Sequence, residues 1–270
     1  MSDHVTLNLT QGAHVLAACR AEGRAALIAY LPVGFPTVAG SLEAIEAVVE
    51  AGVDIVEVGV PYSDPLLDGP VIQRATEKAL ANGSVVDDVF LAVATAVRAG
   101  AAAYVMTYWN LVLRRGVDRF AAELAAAGGS GVITPDLIPD EGADWLVAAT
   151  RHGIDPVFLV APSSTSERLV VATSACRGFV YAASTMGVTG TRATVGSAAA
   201  DVVARTREVT DLPICVGLGV STRAQAAEVA RYADGVIVGS ALVRALDDGG
   251  IPAVRALASE LAAGVREGRA

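Results

Sequence analysis

Three carboxylates share one short stretch, EVGVPYSDPLLDGP: Glu57 inside an apolar run, then Asp64 and Asp68 in a turn rich in proline and glycine. A glutamate among valines is costly to ionise unless it is paired, hydrogen-bonded or protonated. That cost pushes its pKa toward the range useful for proton transfer near neutral pH. Asp68 follows on a path fixed by Pro61, Pro65, Gly69 and Pro70. Two carboxylates in two environments can divide the roles of proton carrier and fixed charge. The structural alternatives are a buried Glu57 paired with an arginine, and an Asp68 that caps the helix starting near Pro70. Asp64, beside Ser63, reads as a loop-stabilising residue rather than a catalyst.

Other chemistries have little to stand on. The chain contains one lysine, Lys78, in a helical pattern after this turn and away from any strand end, which disfavours Schiff-base catalysis. His4, His14 and His152 are separated from each other and from the strand ends, so neither a histidine metal site nor a Ser/His/Asp triad is spelled out. Cys19, Cys176 and Cys215 are odd in number and set in apolar contexts, which suits core packing in a reducing compartment. Carboxylates, hydroxyls and backbone amides remain, and they point to general acid/base chemistry with no metal.

The composition bounds the rest. A chain of 270 residues that is 53% hydrophobic and 18% charged can bury a large core. Its net charge of −9 and isoelectric point near 4.8 argue against a nucleic-acid surface, which needs clustered Lys and Arg, and favour a small-molecule ligand. The N-terminus lacks a basic segment followed by an apolar one, and no long uninterrupted apolar stretch occurs, so neither secretion nor membrane spanning is expected and the cytoplasm is the default.

The elements that must position the carboxylates recur along the chain as one unit: an Ala-rich amphipathic segment, a glycine able to end a helix, then a β-branched run. Gly52, Gly100, Gly131, Gly153, Gly178 and Gly235 each precede such a run, and AALIAYLP from Ala25 and PICVGLG from Pro213 supply two more. Eight β/α units with strands apolar on both faces predict a single (β/α)8 TIM barrel, with an open doubly wound sheet as the alternative. Residues 10 to 22 read as an extra N-terminal helix. The stretch between the second and third strands holds two helical patterns, near 70 to 81 and 85 to 99, hence one additional helix after strand two. No linker divides residues 1 to 270, so one domain is expected. On this scaffold Glu57 lies near the C-terminal end of the second strand, the end at which barrel enzymes build their sites.

Glycine-rich turns follow the last three strands: STMGVTG, GLGVST and VGSALVRAL. Barrels commonly hold phosphate there on exposed amides and a helix N-terminus. Gly239 and Ser240, opening ALVRAL, fit that role, with Gly190, Gly217 and Gly219 allowing close backbone approach and Arg192 as a helper.

EVGVPYSDPLLDGPVIQ, YWNLVLRRG, PDLIPDE, YAASTMGVTG, GLGVST and GVIVGSALV occur in order and at the strand ends. Together they make the chain resemble the tryptophan synthase alpha subunit family over about residues 10 to 260. The resemblance implies retro-aldol cleavage of indole-3-glycerol phosphate to indole and glyceraldehyde 3-phosphate. It also implies a pyridoxal-phosphate-bearing beta subunit as partner in an α2β2 assembly, with indole passed through an internal tunnel and no cofactor in this chain. Glu57 and Asp68 would be the catalytic carboxylates, Glu57 shuttling protons and the more exposed Asp68 staying ionised at the indole N–H. Tyr181 resembles the tyrosine beside the glutamate, and Thr189 the lid threonine that meets the aspartate. Tyr30, Tyr108 and Asp136 match substrate-end or partner-facing positions, as does Asn110. Gly190, Gly219, Gly239 and Ser240 resemble the phosphate binders.

The chain departs from the family pattern at Phe35, where an Asp is common, at Pro32, and at Thr185, where an Arg is frequent. Two other readings stay open beside the lyase: a freestanding phosphosugar isomerase or aldolase, and a silent anion-binding subunit, against which the presence of both carboxylates counts. If the lyase reading holds, Leu66, Leu67, Trp109 and Leu111 are expected to form an apolar patch on the catalytic rim.

Overall fold

The computed structural model describes residues 9–183, 197–217 and 219–268. Thr185, Thr189, Gly190 and Arg192 lie outside the described residues.

The apolar runs form nine parallel strands among the described residues: β1 (Ala26–Pro32), β2 (Ile55–Gly59), β3 (Ala102–Met106), β4 (Gly131–Ile133), β5 (Asp155–Val157), β6 (Leu159–Val160), β7 (Val180–Ala183), β8 (Ile214–Gly217) and β9 (Gly235–Val238). Successive strands pair in order and β9 returns to β1. The exception is informative: β5 pairs with β4 and β6 pairs with β7, so they are two halves of one strand interrupted at Phe158. The interruption has a local cause, because the Phe158 N–H donates to Cys176 Sγ at 3.2 Å instead of to a neighbouring strand. Counted by ring position there are eight strands, and the sheet closes as a TIM barrel.

The helices cover this ring. In chain order they are α1 (Gln11–Ala21), α2 (Val38–Glu50), α3 (Pro70–Ala81), α4 (Asp87–Ala99), α5 (Trp109–Arg115), α6 (Val117–Ala126), α7 (Ala143–His152), α8 (Ser166–Ala175), α9 (Ser197–Arg207), α10 (Arg223–Ala230) and α11 (Ser240–Glu267), the last kinked at Gly250. Threonines open several of them: Thr10, Thr37, Thr165 and Thr222 each accept an N–H from three residues on. None of the described helices is long and apolar enough to cross a membrane.

The glycines that punctuate the sequence do two different jobs. Gly100 and Gly153 end α4 and α7 in the left-handed conformation. Gly131 and Gly235 instead begin strands, and what they supply is room: a Cβ would lie 2.4 Å from the Tyr104 ring at Gly131 and 2.6 Å from Cys215 Sγ at Gly235.

Strand alternation sorts the core into two parts. Val56 and Val58 of β2 face outward into the large cluster between strands and helices, while Ile28, Ile55, Tyr104, Ile133, Val157, Phe179, Cys215 and Ile237 fill the barrel. Helix α1 closes the end where the strands begin, packing Leu16 and Cys19 on this interior and donating the Gly12 N–H to Ser130 Oγ at 3.0 Å. All three cysteines are buried and free.

Candidate active site

Glu57 is the middle residue of β2 and points into the barrel, one alternation above Ile55. It is 1% exposed, and its Oε2 atom is buried with no hydrogen-bond partner among the described residues. No arginine or lysine forms an ion pair with it among the described residues, so the paired alternative is not what β2 builds. Loss of solvation, reinforced by the negative charge of Asp68, raises its pKa to about 8.

Asp68 sits on the loop that joins β2 to α3. It is not the N-cap of that helix, a place taken by Gly69, which has no side chain to accept an amide. Its backbone is tied down by Gln73, whose side-chain amide donates to the Asp68 carbonyl at 2.9 Å. Asp68 is more buried than its place in a polar turn suggests, and burial raises its pKa to about 6. At neutral pH Glu57 is therefore mostly protonated and Asp68 mostly ionised, one proton donor and one charge side by side.

Two phenols crowd the same end of the barrel, Tyr30 on β1 and Tyr181 on β7. Burial raises both pKa values well above the ordinary tyrosine range, and the charges of Asp68 and Glu57 add to the effect, which places both phenols near both carboxylates. Glycine makes the room: a Cβ at Gly59 would meet the Tyr30 hydroxyl at 2.3 Å, and one at Gly217 the Tyr181 hydroxyl at 2.5 Å.

The phosphate candidates gather after β8 and β9. Gly239 is the N-cap of α11 and supplies no side-chain cap to its first amides, which suits that helix end to an external acceptor. Ser240, its first residue, is buried. Gly219 turns with φ +69°, a conformation that favours glycine.

Tyr108, Asn110 and Asp136 gather around the loops after β2 and β3, and the negative charge of Asp68 is among the causes that raise the Tyr108 pKa. They brace the loop after β2 and the start of α5. The Tyr108 hydroxyl accepts the N–H groups of Leu66 and Leu67, each at 3.0 Å. Asn110 donates to the Tyr62 hydroxyl at 2.9 Å, and Asp136 accepts the Trp109 N–H at 2.9 Å. Of the patch expected from Leu66, Leu67, Trp109 and Leu111, Leu66 is exposed and the other three are half-buried. Leu66 is 75% exposed, but Trp109 turns inward, with its ring 6.1 Å from that of Trp145. Phe35 is buried beneath Lys78, whose ammonium lies 5.2 Å from the ring centroid.

Sequence reasoning passed over Tyr62 and Gln73. Tyr62 stands in the motif itself, and Gln73 falls on the first turn of a helix that the proline at position 70 announces, which is the signal that could have found it.

Comparison with known proteins identifies the family. The family model for the tryptophan synthase alpha chain matches residues 16–266. The tryptophan synthase alpha chain of Mycobacterium marinum is 65% identical over 249 residues, covering 92% of each chain. That of Mycobacterium tuberculosis H37Ra is 62% identical over 254 residues, covering 94% of each. Among solved structures, Mycobacterium tuberculosis tryptophan synthase superposes with a TM-score of 0.92 at 60% identity, over 96% of this chain and 99% of that one. A structure from Aquifex aeolicus VF5 reaches 0.89 at 34% identity, over 96% and 100%. The chain belongs to the tryptophan synthase alpha chain family, the lyases that cleave indole-3-glycerol phosphate in tryptophan biosynthesis.

Proposed function

We propose that Glu57 and Asp68 carry the cleavage of indole-3-glycerol phosphate, Glu57 as proton carrier and Asp68 as the fixed charge. The observation that carries this reading is the buried Glu57 Oε2 on β2, which has no hydrogen-bond partner among the described residues, with burial raising the pKa of the group to about 8. Breaking the bond from indole C3 to the glycerol side chain needs a proton delivered to C3 and a proton removed from the side-chain hydroxyl. One group that is protonated at rest can do both in turn, giving to C3 and then taking from the hydroxyl as the aldehyde forms, so atoms and charge balance. Meanwhile positive charge develops on the ring nitrogen, and the Asp68 carboxylate, ionised above about pH 6, stabilises it.

In this reading Tyr30 and Tyr181 confine the indole, Gly219, Gly239 and Ser240 hold the phosphate together with Gly190, and Thr189 meets Asp68 as the lid closes. The beta chain is the partner, and the pyridoxal phosphate belongs to it; this chain carries no cofactor. Exposed Leu66 on the catalytic rim is suited to that contact, and indole then passes directly to the beta active site within an α2β2 assembly. The whole chain acts as one domain in the cytoplasm. The test is release of indole from indole-3-glycerol phosphate, measured for the isolated chain and with the beta chain added. Slow release alone and faster release in the complex are expected, and no release in either state would overturn the reading.

A further inference from the structure

We propose that Tyr108 is a positioning residue: its hydroxyl is the anchor on which the Asp68 loop hangs, and it serves the reaction by placing that loop rather than by touching the substrate. The inference rests on the role proposed for Asp68.

At the tip of the loop after β2, Leu66 is turned outward and does not hold the loop by packing. Hydrogen bonds take the place of packing. A phenol oxygen has two lone pairs for accepting, and in Tyr108 they meet two consecutive backbone donors, Leu66 N–H and Leu67 N–H, both at 3.0 Å. Asp68 is the next residue. On its far side the Gln73 amide holds the Asp68 carbonyl at 2.9 Å, so the carboxylate is fixed between two grips.

Tyr108 is itself packed in place. It is 6% exposed, its ring lies against Tyr62 with centroids 4.8 Å apart, and Asn110 donates to the Tyr62 hydroxyl at 2.9 Å. It is also the N-cap residue of α5, whose first amide, that of Trp109, is held by the Asp136 carboxylate. Removing the single oxygen of Tyr108 would leave the ring, its stacking and the helix in place and release only the two loop amides.

Tyr108→Phe is that experiment, read in the wild-type and Asp68→Asn backgrounds. Hydrogen exchange at the Leu66 and Leu67 amides should accelerate about tenfold or more, and indole turnover should fall about tenfold, from two neutral hydrogen bonds of ordinary strength. Affinity for glycerol phosphate, which needs only the phosphate loops, should be unchanged. In the Asp68→Asn background the Phe substitution should cost no further turnover, because its effect runs through a carboxylate already gone. Unchanged exchange at both amides would overturn the proposal, as would an equal loss of turnover in the two backgrounds. Failure of the Asp68 role would show separately, as Asp68→Asn retaining turnover, while amide exchange judges the anchor by itself.

Discussion

The two ends of the barrel use the same residue types in opposite ways. Where the strands begin, carboxylates are fully engaged. Asp54 faces Arg24 through two hydrogen bonds of 2.9 Å and also accepts the Leu27 N–H. Asp234 accepts the Ile214 N–H at 3.0 Å and pairs with Arg207 at 2.8 Å. Burial pushes the Asp234 pKa up, but these partners win and hold it below the usual carboxylate range. Asp155 is more deeply placed: burial raises its pKa although the Thr10 and Tyr104 hydroxyls donate to it at 2.5 and 2.9 Å. Toward the other end, Glu57 is as buried as any of these and has an oxygen with no partner among the described residues. A carboxylate whose field is satisfied holds structure together, whereas one that is desolvated and unsatisfied is left ready to exchange a proton.

This contrast can be broken most sharply at Glu57. Glu57→Gln keeps the shape and removes the titrating group, so indole turnover should fall by about 10²- to 10⁴-fold while glycerol phosphate still binds. Retention of more than about a tenth of wild-type turnover would make Glu57 structural.

The same substitution should stabilise the fold in alkali. Folded Glu57 keeps its proton up to about pH 8, whereas an unfolded glutamate releases it near 4.5, so the folded protein binds more protons between these values. The stability this contributes is complete below about pH 4.5 and lost above about 8. Thermal or urea unfolding at pH 9 should therefore find Glu57→Gln more stable than wild type by several kcal/mol, at most about 5, with the difference vanishing near pH 4. No gain at pH 9 would mean that the carboxylate is better solvated than its burial implies.

At the phosphate end the expected effect is smaller. Gly219→Asp or Gly239→Asp should weaken glycerol phosphate binding about tenfold or more, through repulsion and lost amide access. Gly239 carries a second penalty, since a Cβ there would sit 3.2 Å from the Tyr30 ring. Calorimetric titration of both variants checks this, and unchanged affinity in both would move the phosphate elsewhere.

The smallest effect belongs to the strand-start end and has the opposite sign. Asp234→Asn should destabilise the fold by about 1 kcal/mol at pH 7, because Arg207 and Arg20 are exposed enough for water to replace much of their pairing. The loss should fade as pH falls and the wild-type carboxylate is itself protonated. An increase in stability would erase the distinction between the two ends.

Much of this arrangement was legible in the sequence, and unevenly so. Strand identity came from β-branched runs buried on both faces, and the count of eight required only that the units repeat. Glu57 was legible because a charge inside VEVGV breaks the rule that its neighbours obey. The split at Phe158 was not, because it depends on a thiol eighteen residues later in the chain accepting one amide. Nor was the bracing role of Tyr108, since nothing local to YWN says that its hydroxyl meets Leu66 and Leu67 more than forty residues earlier. Trp109 illustrates the limit on surfaces: its type suggested the rim, but Trp145, from another helix, draws it inward.

The most direct test of the account is a carboxyl-carbon NMR titration of Glu57 in the folded chain, with Asp234 followed in the same spectra. A Glu57 midpoint near 8 with Asp234 below the ordinary carboxylate range is the predicted result. A Glu57 midpoint at the ordinary glutamate value would contradict it, for a carboxylate that ionises as freely as one in water is not the desolvated proton carrier proposed for this barrel.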